Sequence, residues 1–290
     1  MNLTLLLLTK LAKLRLSSVA APDHDPDSIV IDPDPAVQVR PSRTARSTKG
    51  IRYAGKLRMD LLVPPGPGPH PVVLYLPGGG FVAARRQMAA KQRGYVAEAG
   101  FAVASIDYRT TSNGATYREG LADVAAALAF LRAQAAEYHL DLTRLAVWGE
   151  SAGGYLASMA ATEPDQEFAA AVSLFGASDL SKLSDGFDIE VPAAIPAYVP
   201  DFAQGNPATR ITAQTPPFLL LHGDDDRMIP PAQTAILHQA LLAAGIESTR
   251  YVVRGAGHGM LSEHPAVWTS KELLVRVVDF LRAHLSQKVS

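Results

Sequence analysis

With 290 residues, 48% of them hydrophobic and 19% charged, the chain can bury one large core, or a core and a small cap, and is not disordered in composition. A net charge of −1 argues against a nucleic-acid partner gripped through its phosphates. There is no cysteine, so disulfides, thiolate catalysis and cysteine-held metals are excluded.

The chain opens on Leu3 to Leu8, apolar but for Thr4, with Lys10, Lys13 and Arg15 behind it. A secretory signal carries its positive charge ahead of the apolar run, so a cytoplasmic location is expected. Secretion is the alternative, because Ser18-Val19-Ala20 would suit a signal peptidase. The run is too short to span a bilayer. Leucines at 3, 7, 11 and 14 fit an amphipathic helix that packs on the body or on a cap. Weak contact with a membrane surface through this helix is the sharper reading.

Residues 21–50 are rich in Pro, Asp, Ser and Thr and read as a connecting loop, with an edge strand near Ala36-Val37-Gln38-Val39. Ile51 to Val63 alternates, and Arg58 to Val63 is a strand. Pro64 to Pro71 must turn. Val72 to Leu76 is a continuous apolar run, as a strand covered on both faces requires, and it ends in Pro77-Gly78-Gly79-Gly80-Phe81. A helix from Arg86 to Ala99 stops at Gly100. Phe101 to Ile106 is the next buried strand, followed by a long helix over Tyr117 to Tyr138. Leu145 to Trp148 is a short strand, and Tyr155 to Ala161 is helical. Further strands are expected at Ala169–Phe175, Pro217–Gly223 and Ser248–Val253. Helices are expected at Ala232–Ala244 and Trp268–Ser286. Strand and helix alternate at βαβ spacing, which predicts an α/β fold with a mostly parallel central sheet flanked by helices.

Chemistry gathers at the ends of these strands, where such sheets place their sites. Gly149-Glu150-Ser151-Ala152-Gly153 fits G-x-S-x-G between a strand and a helix. The glycines permit a turn tight enough to lift the Ser151 hydroxyl above the sheet and to aim a helix N-terminus at it. A serine hydroxyl needs a base, and the base needs an orienting acid. Downstream lie His222-Gly223-Asp224-Asp225-Asp226 and Gly255-Ala256-Gly257-His258-Gly259, in the order serine, acid, histidine. His258, flanked by glycines, is the candidate base over His222 and His264, whereas any of the three aspartates could serve as acid. Backbone N–H groups of Gly79, Gly80 and Ala152 are candidates for an oxyanion hole. The triplet is no phosphate loop, because the Lys of the P-loop pattern is missing. Phe81, Tyr198 and Met260 are candidate substrate-binding residues.

Together these segments resemble an α/β-hydrolase of the esterase/lipase group, close to the bacterial feruloyl- or acetyl-esterase-like enzymes and related to the hormone-sensitive-lipase-like carboxylesterases. The resemblance rests on Pro77–Phe81, Asp107-Tyr108-Arg109, Trp148–Gly154, Pro216–Asp226 and Gly255–Gly259, and spans roughly residues 55 to 285. It implies the α/β-hydrolase fold and hydrolysis of carboxylic esters through an acyl-enzyme, with no metal and no cofactor. It also implies that Asp226 is the acid, with Asp224 next in line, and that Glu150 supports the site from behind. Pro77 departs from the usual His of H-G-G-G, which puts the rate in question. Thr110-Thr111-Ser112-Asn113 departs from the lipase-like branch and favours the feruloyl-esterase-like one.

Residues 181–210 are Pro-rich and apolar and are expected to form a small lid together with the N-terminal helix. The domain division expected is 1–50, helix and connecting loop, and 51–290, catalytic domain. The partner expected is a small-molecule ester and no nucleic acid, with a homodimer left open. The alternatives are an amide-directed hydrolase (a formamidase or small peptidase) and a ligand-binding protein on the same scaffold.

Overall fold

The computed structural model describes residues 25–183 and 192–286. Among them nine strands form one sheet: β1 (Ile29–Ile31), β2 (Arg46–Ala54), β3 (Leu57–Val63), β4 (His70–Leu76), β5 (Ala102–Ile106), β6 (Leu140–Glu150), β7 (Ala170–Leu174), β8 (Phe218–Gly223) and β9 (Ser248–Val253). Their order is β1-β9-β8-β7-β6-β4-β5-β3-β2. Only the β2–β3 and β3–β5 pairings are antiparallel. The helices are α1 (Ala90–Glu98), α2 (Tyr117–Ala133), the single turn α3 (Ala135–Tyr138), α4 (Ala152–Ala161), α5 (Ala194–Tyr198), α6 (Ala232–Ala243) and α7 (Lys271–Leu285).

The apolar runs of β4, β5, β7 and β8 are buried almost throughout because helices cover both faces. On one face Leu74, Val147 and Leu220 pack against Leu128 of α2, Leu156 of α4 and Leu237 of α6. On the other, Val73, Trp148 and Val172 pack against Val96 of α1 and Leu274 and Val277 of α7. The register Leu74↔Val147, Tyr75↔Trp148, Leu76↔Gly149 sets the carboxyl ends of β4 and β6 side by side. The loop after Leu76 and the turn at Ser151 are therefore neighbours although they are far apart in sequence. This is the α/β-hydrolase fold.

Local chemistry fixes the element ends. Thr116 and Glu119 form a capping box on α2, the Thr116 N–H donating to Glu119 Oε2 at 2.7 Å. The Ser270 hydroxyl accepts from the Leu273 N–H and starts α7. The closing helix expected from Trp268 thus begins at Lys271, behind a 3₁₀ turn over Pro265–Thr269. The helix expected from Arg86 begins only at Ala90. Arg86 is committed elsewhere, its N–H and guanidinium both donating to Asp107 and its Nε to Asp60, and Ala89 is left-handed.

The edge strand is a correction to the sequence reading. Residues 36–39 contribute a single bridge, Gln38↔Ser270, and the strand is Ile29–Ile31, parallel to β9. Three β-branched residues suit a ladder, whereas Pro33 and Pro35 withhold N–H groups just before residue 36. The alternating stretch before Val63 is a hairpin, β2 and β3, joined at Gly55-Lys56 with Gly55 at φ 52°. The boundary expected at residue 50 falls inside β2.

Of the expected lid, the N-terminal helix and residues 184–191 lie outside the described residues. The rest of 181–210 is anchored: Ile195, Tyr198 and Val199 are buried with Phe81, Tyr155, Met159 and Leu180, and the Tyr155 hydroxyl donates to the Gly205 carbonyl at 2.8 Å. No helix among the described residues is long and apolar enough to cross a membrane.

Candidate active site

Ser151 sits between β6 and α4 with φ 55° and ψ −124°, a backbone conformation that side chains rarely adopt. It is held there by its own N–H, which donates to the Leu174 carbonyl, and by its carbonyl, which accepts from Tyr155 N–H, both at 2.9 Å. A Cβ added to Gly153 would lie 2.1 Å from the Leu76 carbonyl oxygen, so this position must be glycine for β4 and α4 to approach. Phe175 (φ 40°), which lines the same cavity as Ser151, is a second non-glycine residue with positive φ at the site.

The loop after β9 brings His258 to the serine. Ser151 Oγ lies 2.7 Å from His258 Nε2, and His258 Nδ1 lies 2.7 Å from Asp226 Oδ2. The carboxylate opposite Nδ1 accepts only, so Nδ1 carries the hydrogen and the Nε2 lone pair faces the serine hydroxyl. Asp226 is fully buried. Its Oδ1 accepts from the N–H groups of Met228 and Ile229 at 2.9 and 3.0 Å. Burial alone would raise its pKa, but the facing His258 and His222 more than offset this and hold the carboxyl far below the usual carboxylate range. These contacts favour the ionised form of Asp226.

The rival residues are occupied elsewhere. Asp224 accepts from Gly255 N–H at 2.6 Å, and Asp225 pairs with Arg227 at 2.9 Å. His264 is exposed at the start of a 3₁₀ turn. His222 is buried at the end of β8, with Nε2 3.1 Å from Asp226 Oδ2.

Gly79 and Gly80 line the cavity in front of Ser151. Ala152 is the first residue of α4, where helix geometry leaves the N–H without an intrahelical acceptor. A Cβ on Gly79 would fall 1.9 Å from the Ala83 carbonyl oxygen, because that turn is closed by Val82 and Ala83 N–H groups donating to the Gly79 carbonyl. Pro77 brings no side-chain hydrogen bond to this loop, and the segment after β5 supplies them instead. Tyr108 Oη donates to the Pro77 carbonyl at 2.7 Å, Thr110 Oγ1 to the Val82 carbonyl at 2.7 Å, and Thr111 N–H and Oγ1 to the Phe81 carbonyl. Tyr108→Phe leaves a buried carbonyl unpaired, and kcat should fall about tenfold with KM little changed. Steady-state kinetics on the variant check this, and an unchanged kcat would mean the loop is held without Tyr108.

The cavity has a volume of about 320 Å³ and is lined by Gly78–Gly80, Ala83, Arg85, Met88, Glu150, Ser151, Phe175, Met228, His258, Gly259, Met260 and Leu261. Of the three candidate substrate-binding residues, Met260 stands at its mouth, 66% exposed. Phe81 and Tyr198 do not line it: their rings pack on each other at 5.3 Å, and Phe81 packs on Tyr155 at 5.6 Å, behind the loop. Sequence reasoning missed Phe175, whose ring lies edge-on to His258 at 4.9 Å and to Trp268 at 4.6 Å. Its position just past a buried strand was the available signal. Met88, Met228 and Leu261 carried no signal. Burial raises the pKa of the Glu150 carboxyl, an effect that Tyr75, His258 and Arg93 oppose.

Comparison with known proteins agrees with this architecture. The chain is 31% identical over 191 residues to the probable carboxylic ester hydrolase LipM of Mycobacterium tuberculosis, an alignment covering 57% of this chain and 43% of LipM. It is 31% identical over 219 residues to esterase LipC of the same organism, covering 66% of this chain and 53% of LipC. The chain therefore spans about half the length of these curated relatives. Among solved structures, a bifunctional GH43-CE protein of Bacteroides eggerthii superposes with a TM-score of 0.72 at 26% identity, covering 82% of this chain and 38% of that one. The BD-FAE family model matches residues 59–241, well over half of the sequence and the stretch that holds β4, the serine turn and Asp226. The chain belongs to the BD-FAE family of α/β-hydrolase proteins.

Proposed function

We propose that the protein hydrolyses carboxylic esters through an acyl-enzyme, with Ser151 as nucleophile, His258 as general base and acid, and Asp226 as the acid that orients the imidazole. The observation that carries this reading is the 2.7 Å contact between Ser151 Oγ and His258 Nε2 at a strained strand-to-helix turn. Ser151 Oγ attacks the ester carbonyl carbon as Nε2 takes its proton. The oxygen that becomes negative is met by the N–H groups of Ala152, Gly79 and Gly80. Collapse expels the alcohol, which takes the proton from His258. Water then attacks the acyl-enzyme by the same route in reverse roles. The activity accords with the names of the two mycobacterial relatives.

The cavity is at the small end of ligand pockets and is walled by methionine, phenylalanine and glycine. Short or single-ring acyl groups fit it better than long chains. The test is turnover of nitrophenyl esters from acetate to palmitate, together with labelling by a fluorophosphonate and mass-spectrometric location of the adduct. Turnover favouring short chains and a single adduct on Ser151 are expected. No turnover and no adduct would sink the reading, and an optimum at palmitate would sink the small-acyl part of it.

A further inference from the structure

Behind the acid stands a second histidine that the reaction does not use directly. His222 is completely buried. Its Nε2 lies 3.1 Å from Asp226 Oδ2 and 3.0 Å from the Ile229 carbonyl oxygen. Both of these accept only, so Nε2 carries a hydrogen. On the other side of the ring Nδ1 lies 3.0 Å from Thr234 Oγ1. That oxygen already accepts from Arg250 Nε at 2.9 Å. Its own hydrogen has two destinations, Nδ1 at 3.0 Å or the Pro231 carbonyl at 3.2 Å, and Pro231 is already taken by Arg250 Nη2 at 2.8 Å. The shorter and less crowded choice sends the hydroxyl hydrogen to Nδ1, which leaves a neutral ring protonated at Nε2 alone.

The donors therefore point one way: Arg250 to Thr234, Thr234 to His222, His222 to Asp226. Arg250 is itself fully buried, its Nη1 donating to Ser28 Oγ at 2.7 Å and lying 3.6 Å from Asp25 Oδ2. His258 Nδ1–H reaches the same Oδ2 of Asp226 from the opposite side. We propose that His222 is a positioning residue for the reaction, fixing the Oδ2 lone pairs toward His258 and, through its Nε2–H, drawing off part of the negative charge that Asp226 presents to the imidazolium. The inference rests on the triad reading above.

The test compares wild type with His222→Leu, which fills the space without a donor, and His222→Gln, whose side-chain N–H reaches toward Asp226. In the Leu variant kcat should fall about tenfold with KM within about twofold, the loss of one hydrogen bond to a charged group. The acid limb of kcat/KM should move to higher pH, because a carboxylate that has lost this donor holds the His258 proton more tightly. Glu150 and Arg85 line the cavity with His258, and Arg250 and Asp25 stand behind His222; all are unchanged in both variants. The Gln variant should recover most of kcat and return the limb. A Leu variant with wild-type kcat and limb overturns the inference, as do Leu and Gln variants that lose equal activity and equal Tm, which marks packing alone.

If the Leu variant does not fold, the ¹⁵N spectrum of the wild-type imidazoles decides. The signals of His222, assigned by their loss in the Gln variant, should show hydrogen on Nε2 only, and an Nδ1–H tautomer or an imidazolium at neutral pH overturns the inference. Fluorophosphonate labelling of wild type separates the two failures. A Ser151 adduct with indifferent His222 variants sinks the positioning role alone, whereas no adduct sinks the triad and the inference with it.

Discussion

Ser151→Ala should lower kcat for a short-chain nitrophenyl ester by about a million-fold, because removing the nucleophile of such a unit disables all of its members together. Stability should barely change. Among the described residues the Ser151 hydroxyl is hydrogen-bonded to His258, while the backbone bonds to Leu174 and Tyr155 survive in alanine. Alanine adopts φ 55° no more easily than serine, so the strain of the turn is also retained. Steady-state kinetics and calorimetric Tm on the same preparation check both halves. A variant that melts as wild type yet keeps more than about 1% of turnover would move the nucleophile elsewhere.

Asp226→Asn is the second large effect, at about 10⁴-fold in kcat. Among the described residues the groups hydrogen-bonded to this carboxylate are donors: His258 Nδ1, His222 Nε2, and the N–H groups of Met228 and Ile229. An amide must turn its NH₂ toward one pair of these. Facing His258, it forces the imidazole into the tautomer with hydrogen on Nε2, which can no longer accept the serine proton. Facing the backbone, it takes the acceptor away from the buried Ile229 N–H and loosens the loop. Activity and Tm together distinguish the two outcomes. A variant with wild-type kcat would remove Asp226 from the reaction.

Much of this was legible because it is written locally. Val72–Leu76 and Phe218–Leu221 declare buried strands by unbroken apolar runs, and Gly149–Gly153 declares a tight turn by its residue types. That Ser151, the aspartate cluster and His258 each follow a strand accords with the rule that parallel sheets open at their carboxyl ends, the choice of Asp226 among the aspartates came from the family resemblance, and the three side chains do lie in hydrogen-bond contact. What stayed hidden depends on which strands lie side by side. Phe175 meets His258 only because β7 neighbours β6, and His222 meets Asp226 only through the curl of the loop between them. Phe81 and Tyr198, candidates for substrate binding, face each other behind the cavity, and for Phe81 the direction of a side chain at a left-handed residue cannot be read from its neighbours in sequence. Arg86 broke an expected helix because two distant aspartates hold it.

The pairing of Ile29–Ile31 with Tyr251–Val253 has a consequence for how the molecule is made. During synthesis β8 emerges with one flank bare and stays so until β9 follows it. β9 delivers three things at once: the missing neighbour of β8, the seat for β1, and the loop that carries His258. Such distant parallel pairing is slow to form, and until it does the half-finished sheet offers an open edge to other nascent chains. Chains stalled before residue 248 lack both that neighbour and His258, and they should be found in the aggregated fraction.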